Sequence, residues 1–298
     1  MSARELEPVL LSTFLAVLDA GRVSGAARAL HLSQPAVTAQ LRRLEDALGA
    51  TLFVRSVRGV TPTEAGLRLA TYARTVRRTI EEAATAVSGC DGETGELAVG
   101  ASTTIAAHVL PPMLARFRRA HPRVSIRIDI GNTEQIVEAV REGRVPLGLV
   151  EGHARAAGVR LEAFLDDEIV AVVGVNATYA LRSVKDLAAV PILWRERGSG
   201  TRAVVERALA KAAVKRGAVR ELDLELGSTE AIVGGAVAGL GLAFVSRVSI
   251  EAHLAAGLVR VVPGLGLALK RTFRWALPSG ALGGVAANLY AQARSSSA

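Results

Sequence analysis

Cysteine is nearly absent: Cys90 is the single one in 298 residues. A disulfide framework and any multi-cysteine zinc or iron–sulfur centre are thereby excluded. The five histidines, His31, His108, His121, His153 and His253, lie far apart, and no HExxH places two of them on one helix face. No metal site and no cofactor is expected. Gly239-Leu240-Gly241 lacks the third glycine of a dinucleotide fingerprint and reads as a turn into a strand. Long apolar runs are missing too. The uncharged stretch 231–246 is broken by glycines, and 97–115 carries Ser102, Thr103, Thr104, His108 and two prolines, so neither reads as a membrane span. Charges at Arg4, Glu5, Glu7 and Asp19 leave no room for the apolar segment of a secretory leader. The expectation is a soluble cytoplasmic protein. Lysine is scarce, with none before Lys185.

Apolar residues and arginine are abundant. Hydrophobic residues make up 50% and charged ones 21%, which suits two or three packed domains and excludes a disordered chain. The net charge is +8, but an arginine-rich composition makes the global value a weak signal. Local charge says more. Residues 22–78 hold ten arginines against Glu45, Asp46 and Glu64. Such an excess marks a phosphate-facing surface, with a merely solvated helical face as the plainer alternative.

Periodicity divides the chain into a helical region with a β-wing (1–62), one longer helix (63–88), a glycine-rich hinge (89–95) and an α/β region (96–298). In the last, apolar runs at 97–101, 124–130, 147–150, 169–175, 191–194, 222–226 and 242–245 alternate with helical patterns at 105–119, 134–142, 202–216 and 229–238. That alternation predicts an α/β fold with mainly parallel sheets.

In the first region, Leu10, Phe14, Val17 and Leu18 give one helix an apolar face, and Gly21 is placed to end it. Ser24 can cap a second helix. Ser33 can cap a third, with Pro35 in its first turn, where a missing N–H costs nothing. Val37, Leu41, Leu44 and Leu48 form the buried stripe of that helix, leaving Gln34, Ala36, Thr38, Gln40, Arg42 and Arg43 off it. A tight turn followed by a polar-faced helix is the helix-turn-helix arrangement, whose second helix enters the major groove. Residues 52–54 and 59–61 can form a wing with Arg55 and Arg58 near its tip.

The run AARALHLSQPAVTAQLRRLEDALGATLFVRSVRGVTPTEAG resembles the winged helix-turn-helix of LysR-type transcriptional regulators, through its LSQPAVT, LE..LG..LF.R and T..G elements. The resemblance implies base contacts from Ser33, Gln34, Pro35, Ala36 and Thr38 and a phosphate or minor-groove contact from Arg55 in the wing. Ala39 stands where many members carry a basic or polar residue. Arg42, Arg43 and Arg58 complete the expected DNA-facing set as phosphate contacts, which position without specifying.

Leu69, Ala73, Val76, Ile80, Ala83 and Val87 repeat at 4-3-4-3-4 spacing, a heptad seam. Such a helix packs on its own chain or pairs with a second copy. Pairing is favoured, because two-fold related recognition helices match a pseudo-palindromic site in double-stranded DNA. The resemblance implies the same linker-helix dimer, often assembled further into a homotetramer, and leaves RNA polymerase open as a partner.

The α/β region has three strand-to-helix junctions rich in hydroxyls: Ser102-Thr103-Thr104, Arg195 to Arg202 with Ser199 and Thr201, and Gly227-Ser228-Thr229-Glu230. Free N–H groups at a helix start together with hydroxyls suit an anion, although a plain N-cap explains any one of them. Ligands of α/β modules sit outside the carboxyl ends of the strands. The family resemblance implies a two-lobed effector domain like a periplasmic solute-binding protein, with lobe I at 96–165 and 267–298 and lobe II at 166–266. The crossings would lie at 164–168 and 264–269. The runs ASTTIAAHVLPPMLARFRRAHP, GNTEQIVEAVREGRVPLGLVEG, RERGSGTR and ELGSTEAI resemble the sulfite-responsive, cysteine-metabolism branch of that family. This implies a small oxyanion effector such as sulfite or sulfate. The residues expected to hold it are Ser102, Thr103, Thr104, Glu151, Arg197, Ser199, Thr201 and Ser228, with Asn132 and Thr133 secondary. Glu151 fits a bare anion poorly unless it orients an arginine or accepts from a protonated ligand. Two alternatives are an α/β hydrolase or transferase, disfavoured because neither Ser102 nor Ser199 lies in GxSxG and no histidine is placed as a base, and a ligand-independent nucleoid-type protein.

Overall fold

A computed structural model of the chain describes residues 6–56, 59–87, 94–152, 157–212, 223–267 and 269–295. It divides near Asp91 into two compact units. The first contains α1 (Pro8–Ala20), α2 (Val23–Ala29), α3 (Gln34–Leu48), β1 (Phe53–Ser56), β2 (Gly59–Pro62) and α4 (Glu64–Val87). Gly21 and Gly49 close α1 and α3 in the left-handed region that only glycine enters freely, with φ of 63° at each. Ser33 caps α3, its Oγ accepting from the Ala36 N–H at 3.3 Å. The expected cap of α2 differs. The helix starts at Val23 with Arg22 at the cap position, so Ser24 lies inside its first turn.

Phe14, Leu15, Val17, Val37, Leu44 and Ala73 are fully buried in one core shared by α1, α3 and the start of α4. Glu45 accepts from the Leu52 N–H at 2.7 Å, and the Val60 N–H donates to the Gly21 carbonyl at 3.0 Å, which ties the antiparallel β1–β2 wing to the helices. The T..G element has a local cause: Thr63 Oγ1 accepts from the Gly66 N–H at 3.1 Å, and a Cβ on Gly66 would lie 2.3 Å from the Leu52 carbonyl oxygen. The seam of α4 is divided. Ala73 is buried and Leu69 packs against the same core, whereas Val76, Ile80 and Ala83 are exposed; the Val87 side chain lies outside the described residues.

The second unit holds β3 (Thr94–Ser102), a π-helical turn (Ile105–Val109), α5 (Leu110–Ala120), β4 (Arg123–Gly131), α6 (Thr133–Arg141), β5 (Gly148–Glu151) and β6 (Val159–Gly174). It continues with β7 (Ile192–Arg195), α7 (Gly200–Lys211), β8 (Leu224–Leu226), α8 (Thr229–Val237), β9 (Leu242–Ser246), α9 (Glu251–Ala255), β10 (Val259–Val261), β11 (Lys270–Pro278) and α10 (Gly284–Ser295). The strands run in the order β4-β3-β5-β11-β6-β9-β7-β8, with β10 on β6. Two parallel sets, β4-β3-β5 and β9-β7-β8, have the same connectivity, the first strand in the middle. They are joined by antiparallel β6 and β11, so the sheet is mixed where the sequence pattern predicts mainly parallel strands. β6 pairs with β11 through 159–168 and with β9 through 169–172. Helices cover both faces. On the first set, Phe117 and Leu289 pack with Val99 and Trp275 on one side, and Ile136 and Val140 with Val150 and Ala276 on the other. On the second, Val205 and Leu209 pack with Trp194 and Phe244, and Ile232 and Val233 with Val172 and Val245. The hinge at 89–95 lies largely outside the described residues, as do Cys90 and His153.

Leu44→Ala should destabilise the first unit by about 3 kcal/mol, since Leu44 is fully buried in its core and the truncation leaves a cavity there. Its denaturant unfolding midpoint, compared with wild type, checks this.

Candidate functional site

On α3 the side chains of Ser33, Gln34, Pro35 and Arg42 are exposed, while Ala36 and Thr38 are half-buried. Arg43 is exposed and paired with Glu7 at 2.8 Å, a surface ion pair of little energetic weight. Gln40 is held by the buried Thr13 hydroxyl. Arg58 and the Arg55 side chain lie outside the described residues. The exposed start of α3 carries no acidic residue in its first turn, so no like charge there opposes an anion near its free N–H groups and the exposed Gln34 amide.

The second unit gathers its polar residues at one place. Ser102, Glu151, Arg195 and Ser246 are the last residues of β3, β5, β7 and β9, and Thr133, Thr201 and Thr229 lie in the first turns of α6, α7 and α8. All seven are buried. Glu151 is the centre, 1% exposed. Its Oε1 accepts from Ser102 Oγ at 3.0 Å, and its Oε2 from Thr201 Oγ1 at 2.8 Å and Arg271 Nη1 at 2.6 Å. Arg271, from β11, also donates through Nε to Asp167 at 2.6 Å, and Ser246 donates to the other oxygen of Asp167 at 2.7 Å. Close approach requires glycine at 200: a Cβ there would lie 2.0 Å from the Glu151 carbonyl oxygen and 2.7 Å from Thr133 Oγ1.

Beside this lies a threonine cluster. Thr229 Oγ1 meets Thr104 Oγ1 at 3.0 Å and Thr103 Oγ1 at 3.3 Å, and accepts from Arg195 Nη1 at 2.9 Å. Arg195 is held fork-to-fork by Glu196 at 2.8 and 2.9 Å. Asn132 donates from its amide to the Arg197 carbonyl at 3.2 Å, and the Glu134 N–H donates to the Gly198 carbonyl at 3.3 Å.

Of the residues expected from the sequence, Ser102, Glu151 and Thr201 share direct bonds, and Thr103 and Thr104 join through Thr229. Ser199 and Ser228 act as caps, their hydroxyls accepting from the Arg202 and Ala231 N–H groups at 3.4 and 3.1 Å. The Arg197 side chain is exposed. Sequence reasoning missed Arg271, Asp167 and Ser246, and passed over Arg195 and Thr229 within junctions it did note. The signal for Arg271 was period two: Arg271, Phe273, Trp275 and Leu277 are buried on alternate positions of β11.

The electrostatics follow from this packing. Burial alone would raise the Glu151 carboxyl; the charge of Arg271, the Thr201 hydroxyl and the charge of Arg195 outweigh it and hold the group at about 2, against an ordinary 4.5. A carboxyl lowered on folding contributes stability that is fully present above the unfolded value and is lost as pH falls toward the folded one. The contribution is roughly 3 kcal/mol. Acid unfolding of wild type should therefore steepen as pH drops from 4.5 toward 2, and Glu151→Gln should lose that part of the pH dependence. Denaturant midpoints measured across the range check it.

A winged helix-turn-helix joined to an α/β module with a buried polar cluster at its strand ends defines a DNA-binding protein with a ligand-sensing domain. Residues 9–67 match the bacterial regulatory helix-turn-helix protein, lysR family, and residues 91–296 match the LysR substrate binding domain. The chain belongs to the LysR family of transcriptional regulators, which are not enzymes; the hydrolase or transferase alternative is set aside. It is 35% identical over 254 residues to the uncharacterized HTH-type transcriptional regulator YeiE of Escherichia coli (strain K12), covering 85% of this chain and 84% of the relative. It is 30% identical over 266 residues to the HTH-type transcriptional regulator CysL of Bacillus subtilis (strain 168), covering 88% of each. Among solved structures, a full-length OxyR variant from Pseudomonas aeruginosa has the same fold, with a TM-score of 0.77 at 21% identity, over 97% of this chain and 94% of that one. Among the described residues, no helix is long and apolar enough to cross a membrane, and no group of His, Cys, Asp and Glu is arranged to hold a metal ion.

Proposed function

We propose that this regulator reads a pseudo-palindromic promoter site in the cytoplasm as a dimer or dimer of dimers, and is switched by a small oxyanion of the sulfite or sulfate type. Its domains are then the winged helix-turn-helix at 1–62, the pairing helix at 63–88, the hinge at 89–95 and the effector domain at 96–298. Lobe I spans 96–165 and 267–298 and lobe II 166–266, with one crossing at 164–168, within β6, and the other at 264–269, just before β11. One observation carries the ligand reading: buried hydroxyls and two buried guanidinium groups converge where strands β3, β5, β7 and β9 end. Hydroxyls and arginine are the donors a tetrahedral or pyramidal oxyanion takes, and helix N-termini add to them. Ser102, Thr103, Thr104, Thr201, Thr229, Arg195 and Arg271 form this site, with Glu151 among them; Ser199, Ser228 and Arg197 border it. The sulfur-oxyanion class follows from the resemblance of the effector-domain runs, and the chain's similarity to YeiE and CysL fits the branch that carries it.

The exposed seam of α4 at Val76, Ile80 and Ala83 supports pairing through this helix; RNA polymerase stays open as a further partner. The Ser33–Arg43 segment supports major-groove entry.

Two sets of measurements test the proposal. Gln34→Ala should weaken binding to duplex from the region upstream of the protein's own gene by about 1–3 kcal/mol, with relaxed sequence preference, whereas Arg42→Ala should weaken all sequences alike and lower the salt slope by about 1. Fluorescence anisotropy over a salt series distinguishes them, and unchanged binding in both variants would sink the DNA interface. Calorimetric titration of the whole chain with sulfite and sulfate should show saturable binding that Thr103→Ala reduces about tenfold, the loss of one hydrogen bond to a charged group. Absence of heat with both anions would reject the effector class.

A further inference from the structure

The oxygens of Glu151 already occupy the donors that an oxyanion needs. Oε1 takes the Ser102 hydroxyl, and Oε2 takes the Thr201 hydroxyl and one arm of Arg271. Two hydroxyls and a guanidinium on one small, buried, negatively charged group is the coordination of a bound oxyanion, supplied here by the chain itself. These donors come from separated parts of the domain, the end of β3, the first turn of α7 and the antiparallel strand β11. The carboxylate thus binds these elements together as a ligand would.

The charges around it fix what can enter. Arg271 and Arg195 face three carboxylates: Glu151, Asp167 and Glu196. The Arg271 Nε is taken by Asp167, and the Nε and Nη2 of Arg195 by Glu196. The cluster of two guanidinium groups and three carboxylates therefore carries a net charge of −1. A dianion added beside an ionised Glu151 would meet strong repulsion in a site without water's screening. One donor is left over. Arg271 Nη2 is buried and has no hydrogen-bond partner among the described residues, although the Arg271 side chain is only 1% exposed. A buried guanidinium arm without an acceptor costs free energy until an acceptor arrives.

We propose that Glu151 is a tethered anion that fills the effector's place in the empty protein, so that an oxyanion binds by exchange with this carboxylate. This rests on the oxyanion reading above and adds the mode of entry. The incoming anion takes the free arm of Arg271 and then the Ser102, Thr201 and Arg271 Nη1 donors as Glu151 leaves them. Affinity is then the difference between two anions competing for one set of donors, and Glu151 sets it.

Three readouts on the full-length chain test the exchange. Glu151→Gln keeps the size of the side chain and removes its charge, so calorimetric titration with sodium sulfite at fixed pH and ionic strength should give an affinity about tenfold tighter than wild type or more. Glu151→Ala removes the tethered group, and sodium formate, a free carboxylate of similar shape, should raise the melting temperature of this variant while leaving wild type unmoved. Sulfite should raise the melting temperature of Glu151→Ala by more than that of wild type. Sulfite bound equally or more weakly by Glu151→Gln, or formate without effect on Glu151→Ala, overturns the tethered-anion role and leaves the oxyanion site standing. If formate rescues Glu151→Ala but sulfite and sulfate bind none of the three proteins, the effector class falls first and exchange with an oxyanion falls with it.

Discussion

The buried ion pair of Glu151 with Arg271 is the constraint to which the sensing domain is built. Neither charge could stay in the interior alone, because an isolated charge in a dry site costs several kcal/mol. Each is therefore surrounded by groups whose positions are no longer free: Ser102 and Thr201 on the carboxylate, Asp167 on the guanidinium, Ser246 on Asp167. The chain meets this demand with topology. Parallel strands in each half bring their carboxyl ends to one line, and the following helices begin there, so strand-end side chains and helix-start hydroxyls gather without long loops. β6 and β11 run antiparallel between the halves and place Asp167 and Arg271 as register neighbours.

Much of the first unit is legible from residue spacing. The stripe of Val37, Leu41 and Leu44 is the buried face of α3, and Ser33 and Gly49 bound that helix for reasons local to each residue. Caps, glycine turns and helical periods act over a few residues and are therefore visible in sequence. The reading of Ser24 as a cap failed because Arg22, which has no side-chain cap bond, already adopts the extended backbone that starts α2. A favourable cap residue does not fix a helix start when packing of Ala26 and Ala27 decides it.

The sensing unit was legible in its parallel strands and less so in its antiparallel ones. The sequence pattern marks a strand only from 169, whereas β6 begins at Val159; its earlier part is only half-buried and Asp166, Asp167 and Glu168 interrupt its apolar run. β11 is not among the apolar runs of the sequence; it opens with Lys270 and Arg271, and Arg274 interrupts it further. Arg271 is buried by partners 70 and 120 positions away, Thr201 and Glu151, and no local pattern reports such distant pairing. The two capping serines show the converse. Ser199 and Ser228 stood out because they sit before helices, and that placement is what their capping bonds require.

The divided seam of α4 has a mechanical meaning. Its opening turns, with Leu69, Ala70 and Ala73, are part of the winged core, while the stretch around Val76 and Ile80 is left for another surface. One continuous helix therefore carries both part of the winged core and the exposed apolar stretch beyond it, with no break between them. On the dimer reading proposed above, that continuity would let the helix act as a spindle, rather than a compliant tether, in gauging the spacing of two half-sites.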